Sequence, residues 1–510
     1  MCAYIEKGLP FARFVRCSGQ QNSQQEARAH YSIRTLERAS RLGFRKDSPM
    51  RRIRPVETEL AGLADTKFEI AALAKILSPT VVGETLAAAG KVAQRVRKLP
   101  PEVVTWLVVG MGLFRGLSIE NVLARVGEGL GSVVRWGAAE LPCATAITHA
   151  RDRLGWDVVR TIFRGLAEFL TKKHESVAAW RGHVVNVLDG SCFLVPDSAA
   201  NDAEFGRPGT TRGGARSAYP SMRSVLVVGA WTHLIRHAVL GPYRVGELTL
   251  AAELVPDLEP GTVLLMDRAY FSYAWLAGIA ARGVQFVVRA KLGSRALKLA
   301  KLRRLGNGDA RGLLRIPPSL KRKRPDLPDA LEVRVVTYTV KTRGGRRTIK
   351  LVTSLLATKE KDYPADEIAS LFRDRWEGEL SFRELKTHQV EKRVAFRSKT
   401  PDRVRQEAWG LLVAYNCVRG LMAEAAEFKA LQPRRLSFVD CLTRARAAVR
   451  TLAGRDPAGV YEQLLADMAT CVLPKRRVGR NCPRAVKIKM SNYPRKRPGL
   501  KTVAPSRDVH

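Results

Sequence analysis

The 510-residue sequence predicts an α/β catalytic core that carries a β-rich insertion and has helices on both sides. Short apolar segments that end in turns occupy the middle of the chain, whereas amphipathic helical patterns precede and follow them. The chain is also strongly basic, with 87 Lys and Arg against 48 Asp and Glu and a formal net charge of +39. Such an excess favours a polyanion as partner, above all nucleic acid, with ribosomes, membranes and acidic proteins as alternatives.

The pattern divides the chain into six parts. Residues 1–55 predict a disordered or non-native N-terminal extension, with Met50 as an alternative start. Residues 58–175 predict an all-α N-terminal domain, which is either a scaffold or a helix-turn-helix DNA reader. The remaining parts are the catalytic core at 180–290 and 357–425, the insertion at 291–356, C-terminal helices at 426–473 and a basic tail at 474–510.

Local signals predict the individual elements. Ser78-Pro79 separates two helices, and Pro100-Pro101 begins a largely buried third helix. The segments HVVNVLDGSCFLV and GTVLLMDRAYFS predict strands, and GELTLAAELVPDL predicts a helix between the later strands. The stretch KLRRLGNGDARGLLRIPPSLKRKRP is expected to be basic and irregular. Gly344-Gly345 predicts the turn of a β-hairpin.

Several features exclude other classes of protein. The eight cysteines contain no C-x-x-C pair, so they predict reduced thiols and neither a zinc site nor a disulfide framework. The apolar run from Val103 to Phe114 is shorter than the roughly 20 residues that span a bilayer, and the start has no signal-peptide centre. No Walker A sequence is present, which argues against ATP use. We therefore expect a soluble cytoplasmic protein.

Three carboxylates are candidates for metal-dependent chemistry. Asp189 and Asp267 each follow an apolar strand segment, where a hard cation can reach a carboxylate, although a turn or helix-cap role is the alternative. Glu379 lies in LFRDRWEGELSFRELKTH. On one continuous helix, Phe372, Arg375, Glu379 and Lys386 would share a sector of roughly 60°, bordered by Trp376 and Arg383. A solvated ladder of Arg375, Glu379 and Arg383 is the alternative.

These residues carry a resemblance to a known family. Arg375, Glu379 and Lys386 match the Y-x2-R-x3-E-x6-K signature of bacterial insertion-sequence DDE transposases, with Phe372 at the Tyr position. The segments LDGSCFLVPDS, LLMDRAYFS and FRSKTPDRVRQEAWGLLVAYNCVR also resemble that family. LPPEVVTWLVVGMGLFRGLS resembles its N-terminal helical domain, and the similarity spans roughly residues 60–500.

The resemblance implies a ribonuclease H-like core in which Asp189, Asp267 and Glu379 are the catalytic, metal-binding triad. It implies two Mg²⁺ ions, with Mn²⁺ as an alternative ion, for hydrolysis and strand transfer at phosphorus. Arg375 and Lys386 would bind phosphates. Arg268, Phe372, Trp376 and Arg383 complete the expected DNA-binding set, and Glu247 is a further candidate carboxylate, with helix capping as its alternative.

The function implied is a transposase of a bacterial, nucleoid-associated kind that binds terminal inverted repeats and moves its element by cut-and-paste. It would act as a homodimer on element ends and target DNA, without membrane or ATP. A repressor that binds the ends without cleaving them is one alternative, favoured by the missing hydroxyl at Phe372. A metal-dependent nuclease unrelated to transposition is another. His233 and His237 have metal-ligand spacing on a helix, but their segment predicts a strand without a third ligand.

Overall fold

The computed structural model describes nine stretches of the chain, all within one unit, Glu59–His510. They are residues 71–93, 97–130, 140–209, 217–291, 298–342, 345–356, 362–390, 396–449 and 457–474. The predicted N-terminal extension and the basic tail after residue 474 lie outside these stretches. None of the described helices is long and apolar enough to cross a membrane.

Among the described residues, six α-helices precede the first strand, as the N-terminal pattern predicts. They are α1 (Ala71–Ile76), α2 (Pro79–Ala88), α3 (Pro101–Leu113), α4 (Ile119–Leu130), α5 (Ala144–Leu154) and α6 (Asp157–Lys173). Helices α2 and α3 begin at Pro79 and Pro101, where a missing backbone N–H costs nothing because the first turn has no intrahelical acceptor for it. All but two side chains of α3 are buried, in keeping with its apolar sequence.

Three helices close the described chain. They are α13 (Pro401–Glu427), α14 (Phe438–Ala448) and α15 (Pro457–Ala469). Helix α13 packs against α3 at very short range, because a Cβ on Gly112 would lie 2.8 Å from the Gly410 carbonyl oxygen, and one on Gly410 would lie 2.5 Å from a Val108 methyl. The N-terminal and C-terminal helices therefore share one hydrophobic core.

A mixed sheet runs through the centre of the fold. Its strands are β1 (Ala179–Trp180), β2 (His183–Leu194), β3 (Ser221–Gly229), β4 (Ile235–Pro242), β5 (Val263–Met266), β6 (Gln285–Arg289), β7 (Leu299–Gly306), β8 (Asp309–Arg315), β9 (Ala330–Thr342) and β10 (Gly345–Thr353). The order is β4-β3-β2-β5-β6-β10-β9-β8-β7, with β1 pairing only with β2. Strands β2, β5 and β6 are parallel, and the other described pairs are antiparallel.

Helices cover both faces of the central strands. Leu188, Leu264 and Met266 pack with α8 (Glu247–Ala252) and α9 (Tyr273–Ala281) on one face. Val187 and Leu265 pack on the other face with α11 (Ala365–Arg373). The remaining helices are α7 (Ala199–Phe205), α10 (Pro318–Lys323) and α12 (Trp376–Arg383). The sheet is thus the middle layer of a three-layer α/β arrangement.

The insertion extends the central sheet, since β10 pairs with β6. The predicted β9–β10 hairpin is confirmed by the pairing of Thr342 with Gly345. The expectation of an irregular basic stretch is wrong, because it forms β7, β8 and α10. Gly306 pairs with Asp309 around Asn307-Gly308, and Gly308 has a φ of +75°. An Asn-Gly dipeptide between short strands is a hairpin signal that was present in the sequence.

Candidate active site

Two aspartates come together where β5 ends beside β2. The parallel pairing of these strands places Leu188 opposite Met266, and Asp189 and Asp267 are the next residues. Side chains alternate along a strand, so Asp189 faces the same side as Val187, towards α11 and α12. The expectation that Asp189 ends its strand is wrong: β2 continues to Leu194 because it keeps its pairing with β3. Asp267 does follow its strand directly, as predicted.

A glycine brings the third carboxylate to this strand. An added Cβ on Gly378 would lie 2.6 Å from a Val187 methyl and 3.6 Å from Asp189 Cβ. Helix α12 therefore approaches β2 as closely as the absence of a side chain allows. Glu379 is the next residue, and its side chain is 40% exposed. The sequence-based expectation that Glu379 joins the two aspartates in one region of the fold agrees with this placement.

An arginine lies between the acidic groups. Arg375 Nη2 is 3.0 Å from Glu379 Oε1. Burial raises the pKa of the Asp189 carboxyl to about 6, and Glu247 and Glu379 add to the rise, whereas the Gly190 N–H and Arg375 oppose it. A guanidinium of the chain itself thus balances part of the negative charge.

The continuous helix expected over residues 371–388 is not formed. Helix α11 ends at Arg373, a turn at Asp374 and Arg375 follows, α12 begins at Trp376, and residues 384–389 form a π-helical turn. The turn at Asp374 is held by two side chains, since Trp231 Nε1 and Arg434 Nη1 lie 2.8 Å and 3.1 Å from its carboxylate. Periodicity carries no information on such tertiary bonds.

Lys386 reaches β2 just beyond Asp189. Its Nζ donates a hydrogen bond of 3.0 Å to Ser191 Oγ and lies 5.7 Å from the centre of the Phe193 ring. Burial lowers the pKa of this ammonium group. Lys386 and Arg375 therefore flank Asp189 on the α12 side, although Arg375 lies in the break before α12 and Lys386 in the π-helical turn after it.

The other expected DNA-binding residues differ in exposure. Trp376 is 53% exposed at the start of α12, and Arg268 and Arg383 are also exposed. Phe372 is only 8% exposed and packs in the core beneath α11, with the Arg375 guanidinium 6.0 Å from its ring centre. The structure thus brings Phe372 beneath Arg375, where its ring has little access to solvent.

Glu247 approaches β2 from the opposite side. It begins α8, and a Cβ on Gly190 would lie 2.3 Å from its carboxyl carbon. Arg223 Nη1 is 3.5 Å from Glu247 Oε2. Tyr270 is buried nearby, and burial, together with the Glu247 and Asp189 carboxylates, raises the pKa of its hydroxyl. Glu247 therefore lies near Asp189, with Gly190 between them. Its position after β4 in the sequence is compatible with this placement but does not predict it.

A group of buried polar side chains lies behind α12, and the sequence analysis did not anticipate it. We call it the rear cluster, and it comprises Asp374, Glu377, Glu384, His233, Tyr415, Arg419 and Arg434. Its acidic members come from the segment that carries Glu379, and its partners come from the β3–β4 turn, α13 and the segment before α14. Spacing alone shows that Glu377 and Glu384 point away from Glu379, but not what they meet.

The two histidines of the β3–β4 region have separate partners. His233 belongs to the rear cluster, whereas His237 Nε2 lies 3.2 Å from Glu259 Oε2. Burial opposes ionisation of Glu259, but His237 and Arg236 lower the pKa of its carboxyl to about 2. His233 and His237 therefore belong to different hydrogen-bonded groups.

The donor set at Asp189, Asp267 and Glu379 suits a hard divalent cation, because all three residues offer carboxylate oxygens. The raised pKa of Asp189 also indicates a site that an added positive charge would relieve. Among the described residues, however, no three His, Cys, Asp or Glu side chains stand in an arrangement that encloses an ion. The chemistry of the donors fits a divalent cation.

Comparison with known proteins identifies the family. Residues 180–417 match the family described as "Transposase DDE domain", and residues 67–164 match "Insertion element 4 transposase N-terminal". The transposase InsG for insertion sequence element IS4 of Escherichia coli strain K12 is 32% identical over 431 residues, 83% of this chain and 93% of InsG. The chain belongs to the DDE transposase family. The resemblance found in the sequence is confirmed.

Among solved structures, this transposase aligns with a piggyBac transposase synaptic complex with hairpin DNA. The alignment covers 81% of this chain and 87% of that one, at 9% identity and a TM-score of 0.37. A likeness at this level supports no argument about fold or function.

Membership of the family establishes the general activity. A DDE transposase is an enzyme that cleaves DNA and transfers strands, so DNA is its partner, and the family generally uses divalent metal ions. Its catalytic domain belongs to the ribonuclease H-like superfamily, in agreement with the mixed sheet and flanking helices. The matched residues 180–417 include all three candidate carboxylates.

Proposed function

We propose that Asp189, Asp267 and Glu379 form the catalytic triad with which this transposase cuts and joins DNA at the ends of its element. The observation that carries the proposal is the convergence of three chain segments. The parallel register of β2 and β5 aligns the two aspartates, and the contact of Gly378 with Val187 brings Glu379 to the same strand. Three carboxylates contributed by separate rigid elements are the arrangement that metal-dependent phosphoryl transfer requires.

The proposed cofactor is a pair of Mg²⁺ ions, for which Mn²⁺ can substitute. Asp189, Asp267 and Glu379 would hold them, and such ions supply Lewis-acid stabilisation of charge on the reacting phosphate oxygens. The ion pair of Arg375 with Glu379 supports this assignment, because it shows a carboxylate that already accepts positive charge at the site. If Glu379 binds a metal ion and no longer pairs with Arg375, the Arg375 guanidinium becomes available for a phosphate.

The chain's own cations bind and orient the DNA backbone in this proposal. Arg375 offers a planar fork for two phosphate oxygens, whereas Lys386 offers a single charge held against Ser191. Arg268 and Arg383 add exposed charge, and the exposed ring of Trp376 offers a stacking surface for a base beside Glu379. In this proposal, the Phe372 ring supports the Arg375 guanidinium from below. That support does not require a tyrosine hydroxyl.

We assign Glu247 a supporting role at the same site. Its carboxylate lies over Gly190 and is paired with Arg223, so its charge acts on Asp189 from the second face of the sheet. The helix-cap alternative fits this position less well, because Gly246 occupies the N-cap position of α8.

At the level of the reaction, we propose that the enzyme recognises terminal inverted repeats and moves the element by cut-and-paste. A homodimer that bridges two ends follows from the need to cut both ends together, and no ATP is required because each step exchanges one phosphodiester for another bond. The binding-only repressor remains the second candidate function, and the buried Phe372 is the feature that would favour it, since that position offers DNA no hydroxyl.

The decisive experiment is strand cleavage of a duplex that carries the element's ends, with Mg²⁺, comparing the wild type with Glu379→Gln. The mutation keeps the size of the side chain and removes its charge, so end binding should persist while terminal cleavage falls by at least about 1000-fold. The control is Glu462→Gln, the same change on an exposed residue of α15, which should leave the rate unchanged.

The alternatives have distinct outcomes in the same assay. Binding of ends without cleavage by the wild type would support the repressor and overturn the proposed reaction. Equal cleavage of DNA that lacks the ends, without strand transfer, would indicate a nuclease unrelated to transposition. Retention of full activity in Glu379→Gln would remove Glu379 from the triad.

A further inference from the structure

The rear cluster lies on the side of α12 that faces away from Glu379. Residues two positions apart on a helix are about 200° apart around its axis, so Glu377 points nearly opposite to Glu379. Glu384, at the start of the π-helical turn, points the same way as Glu377. Both carboxylates are largely buried, with side-chain exposures of 13% and 12%. The segment that carries Glu379 and Lys386 is therefore fixed from behind by polar bonds.

His233 links Glu377 of α12 to Arg419 of α13. Its Nε2 lies 2.9 Å from Glu377 Oε2, and its Nδ1 lies 2.6 Å from Arg419 Nη2. A guanidinium can only donate, so Nδ1 accepts and the Nε2–H donates to Glu377. Both ring nitrogens are thus bonded, and Nδ1 also lies 3.4 Å from Glu384 Oε2. His233 has a φ of +58° in the β3–β4 turn, a left-handed conformation that is uncommon for a residue with a side chain.

The remaining bonds fix the position of the π-helical turn and of the break before α12. Arg419 also pairs with Glu384, whose carboxylate accepts a hydrogen bond of 2.8 Å from Tyr415 Oη. Arg434 contacts Asp374 at 3.1 Å and Glu377 at 3.6 Å. Each end of α12 is therefore tied to a different part of the fold.

Stability is a poor explanation for this cluster. Buried ion pairs are often no more stabilising than well-packed apolar side chains of the same volume, because desolvation offsets the attraction. Directional bonds, unlike apolar packing, define the rotation of a helix about its axis and its position along that axis. A displacement of about 1 Å at reacting groups can lower a rate by about 100-fold.

We propose that His233 is a positioning residue for the DNA-cleavage reaction. By bonding Glu377 and Arg419 at once, it holds the rotation of α12 at which Glu379 and Lys386 face β2. The inference rests on the proposed role of Glu379 and adds a residue that touches neither DNA nor metal. The left-handed backbone conformation of His233 is consistent with a residue whose side chain the fold must hold in one position.

The test is the first turnover of end cleavage by His233→Ala, with Mg²⁺ and end-containing DNA saturating and the protein limiting. This format separates two effects: loss of folded protein lowers the amplitude, whereas misplaced groups lower the rate constant. We expect a rate constant lowered by about 30- to 100-fold, with end affinity within about threefold of wild type, because exposed cations outside α12, such as Arg268, keep their positions. His233→Gln should recover part of the rate, since its amide can donate to Glu377.

The matched control is His237→Ala. His237 belongs to the same hairpin as His233, but it bonds Glu259 instead of α12. Its rate constant should stay within about twofold of wild type. If His233→Ala does not fold, Tyr415→Phe carries the test, because it keeps the ring and removes only the bond to Glu384. We expect it to lower the rate constant by about three- to tenfold without loss of amplitude.

The outcomes separate this inference from the proposed function. A lowered amplitude with an unchanged rate constant in His233→Ala would reduce the cluster to a structural role and overturn the inference. Equal effects of the changes at His233 and His237 would do the same. Failure of the proposed function has another signature, which is full activity of Glu379→Gln. Loss of activity in Glu379→Gln with normal rates in the His233 variants would overturn only the inference.

Discussion

Gly190, the residue after Asp189, is the position at which the smallest change should have the largest effect on the site. An added methyl group would lie 2.3–2.6 Å from all three atoms of the Glu247 carboxyl group. Gly190→Ala should therefore displace Glu247 or Asp189 and lower end cleavage by at least about tenfold, while end binding is kept. Cleavage rates and end affinity measured together check this.

The control for this change is Gly278→Ala in α9, where an added Cβ meets nothing within 4 Å. That variant should keep full activity and gain slightly in stability, because alanine favours a helix over glycine. Normal cleavage by Gly190→Ala would mean that Glu247 moves aside at no cost and has no part in the site.

Asp189 should make the metal-free enzyme less stable at neutral pH. Its folded pKa of about 6 lies above the ordinary value of 3.8, so the folded state holds the proton more tightly than the unfolded state. Stability therefore falls as pH rises from about 4 through 6, and the loss persists above that range. Asp189→Asn should raise the free energy of unfolding by about 2 kcal/mol at pH 8.

Urea denaturation in EDTA at pH 8 and pH 4.5 tests this expectation. The advantage of Asp189→Asn should shrink at the lower pH, where the wild-type carboxyl is largely protonated as well. Asp366→Asn, on the exposed side of α11, should change stability by less than about 0.5 kcal/mol at either pH. A destabilised Asp189→Asn at pH 8 would contradict the raised pKa.

Among the elements, α12 depends on one close contact for its position. Gly378→Ala would place a methyl group 2.6 Å from a Val187 methyl and push the helix away from β2. We expect cleavage to fall by at least about tenfold, with a modest change in stability because overpacking and helix propensity have opposite effects. Gly83→Ala in α2, which meets nothing within 4 Å, is the control.

The same region shows how far sequence patterns reach. Short apolar segments that end in turns predicted β2 and β5, and the proline signals predicted the starts of α2 and α3. The break at Asp374 and the π-helical turn were missed, because both depend on bonds from Trp231, Arg419 and other distant residues. Local periodicity contains no term for such contacts.

The candidate carboxylates were predicted from local features. Asp189 and Asp267 follow apolar segments, and Glu379 matches the family signature. The role of His233 was hidden, since it depends on a contact between residues 144 positions apart in the chain. The β7–β8 hairpin is a different case, because Asn307-Gly308 was a local signal that the basic composition obscured.

In the whole molecule, a buried ion cluster joins the N-terminal helices to α13. Glu407 lies 3.3 Å from Arg115 and 3.6 Å from Arg151, and it accepts a hydrogen bond from the Arg397 N–H. Glu407→Gln would leave two buried guanidinium groups without a full counter-charge. We expect a loss of about 3–5 kcal/mol in the free energy of unfolding.

Denaturation of Glu407→Gln against Glu204→Gln measures this loss. Glu204 pairs with Arg405 near the surface, so its change should cost less than about 1 kcal/mol. Similar values for the two variants would show that the N-terminal helices do not depend on the buried charge.

The outer edge of the sheet should contribute to DNA affinity through charge. Strand β7 is the last strand of the sheet, and its Arg303 and Arg304 are exposed. Replacing both residues with alanine should reduce the slope of log affinity against log salt by about 1 to 2. Each phosphate contact that is lost lowers the number of counterions released when DNA binds. Alanine at the exposed Lys172 of α6 and at the exposed Lys429, in the turn after α13, is the control of equal charge. An equal reduction by both pairs would indicate only net charge.

The bond between Lys386 and Ser191 spans 195 residues of chain, and the whole insertion is synthesised between them. The two aspartates can therefore be in place on a growing polypeptide well before Glu379 and the α13 residues that support α12 leave the ribosome. A nascent chain that has reached only β10 has the strands of the sheet but lacks Glu379, the third carboxylate of the proposed triad. The order of synthesis thus separates completion of the sheet from completion of the proposed active site.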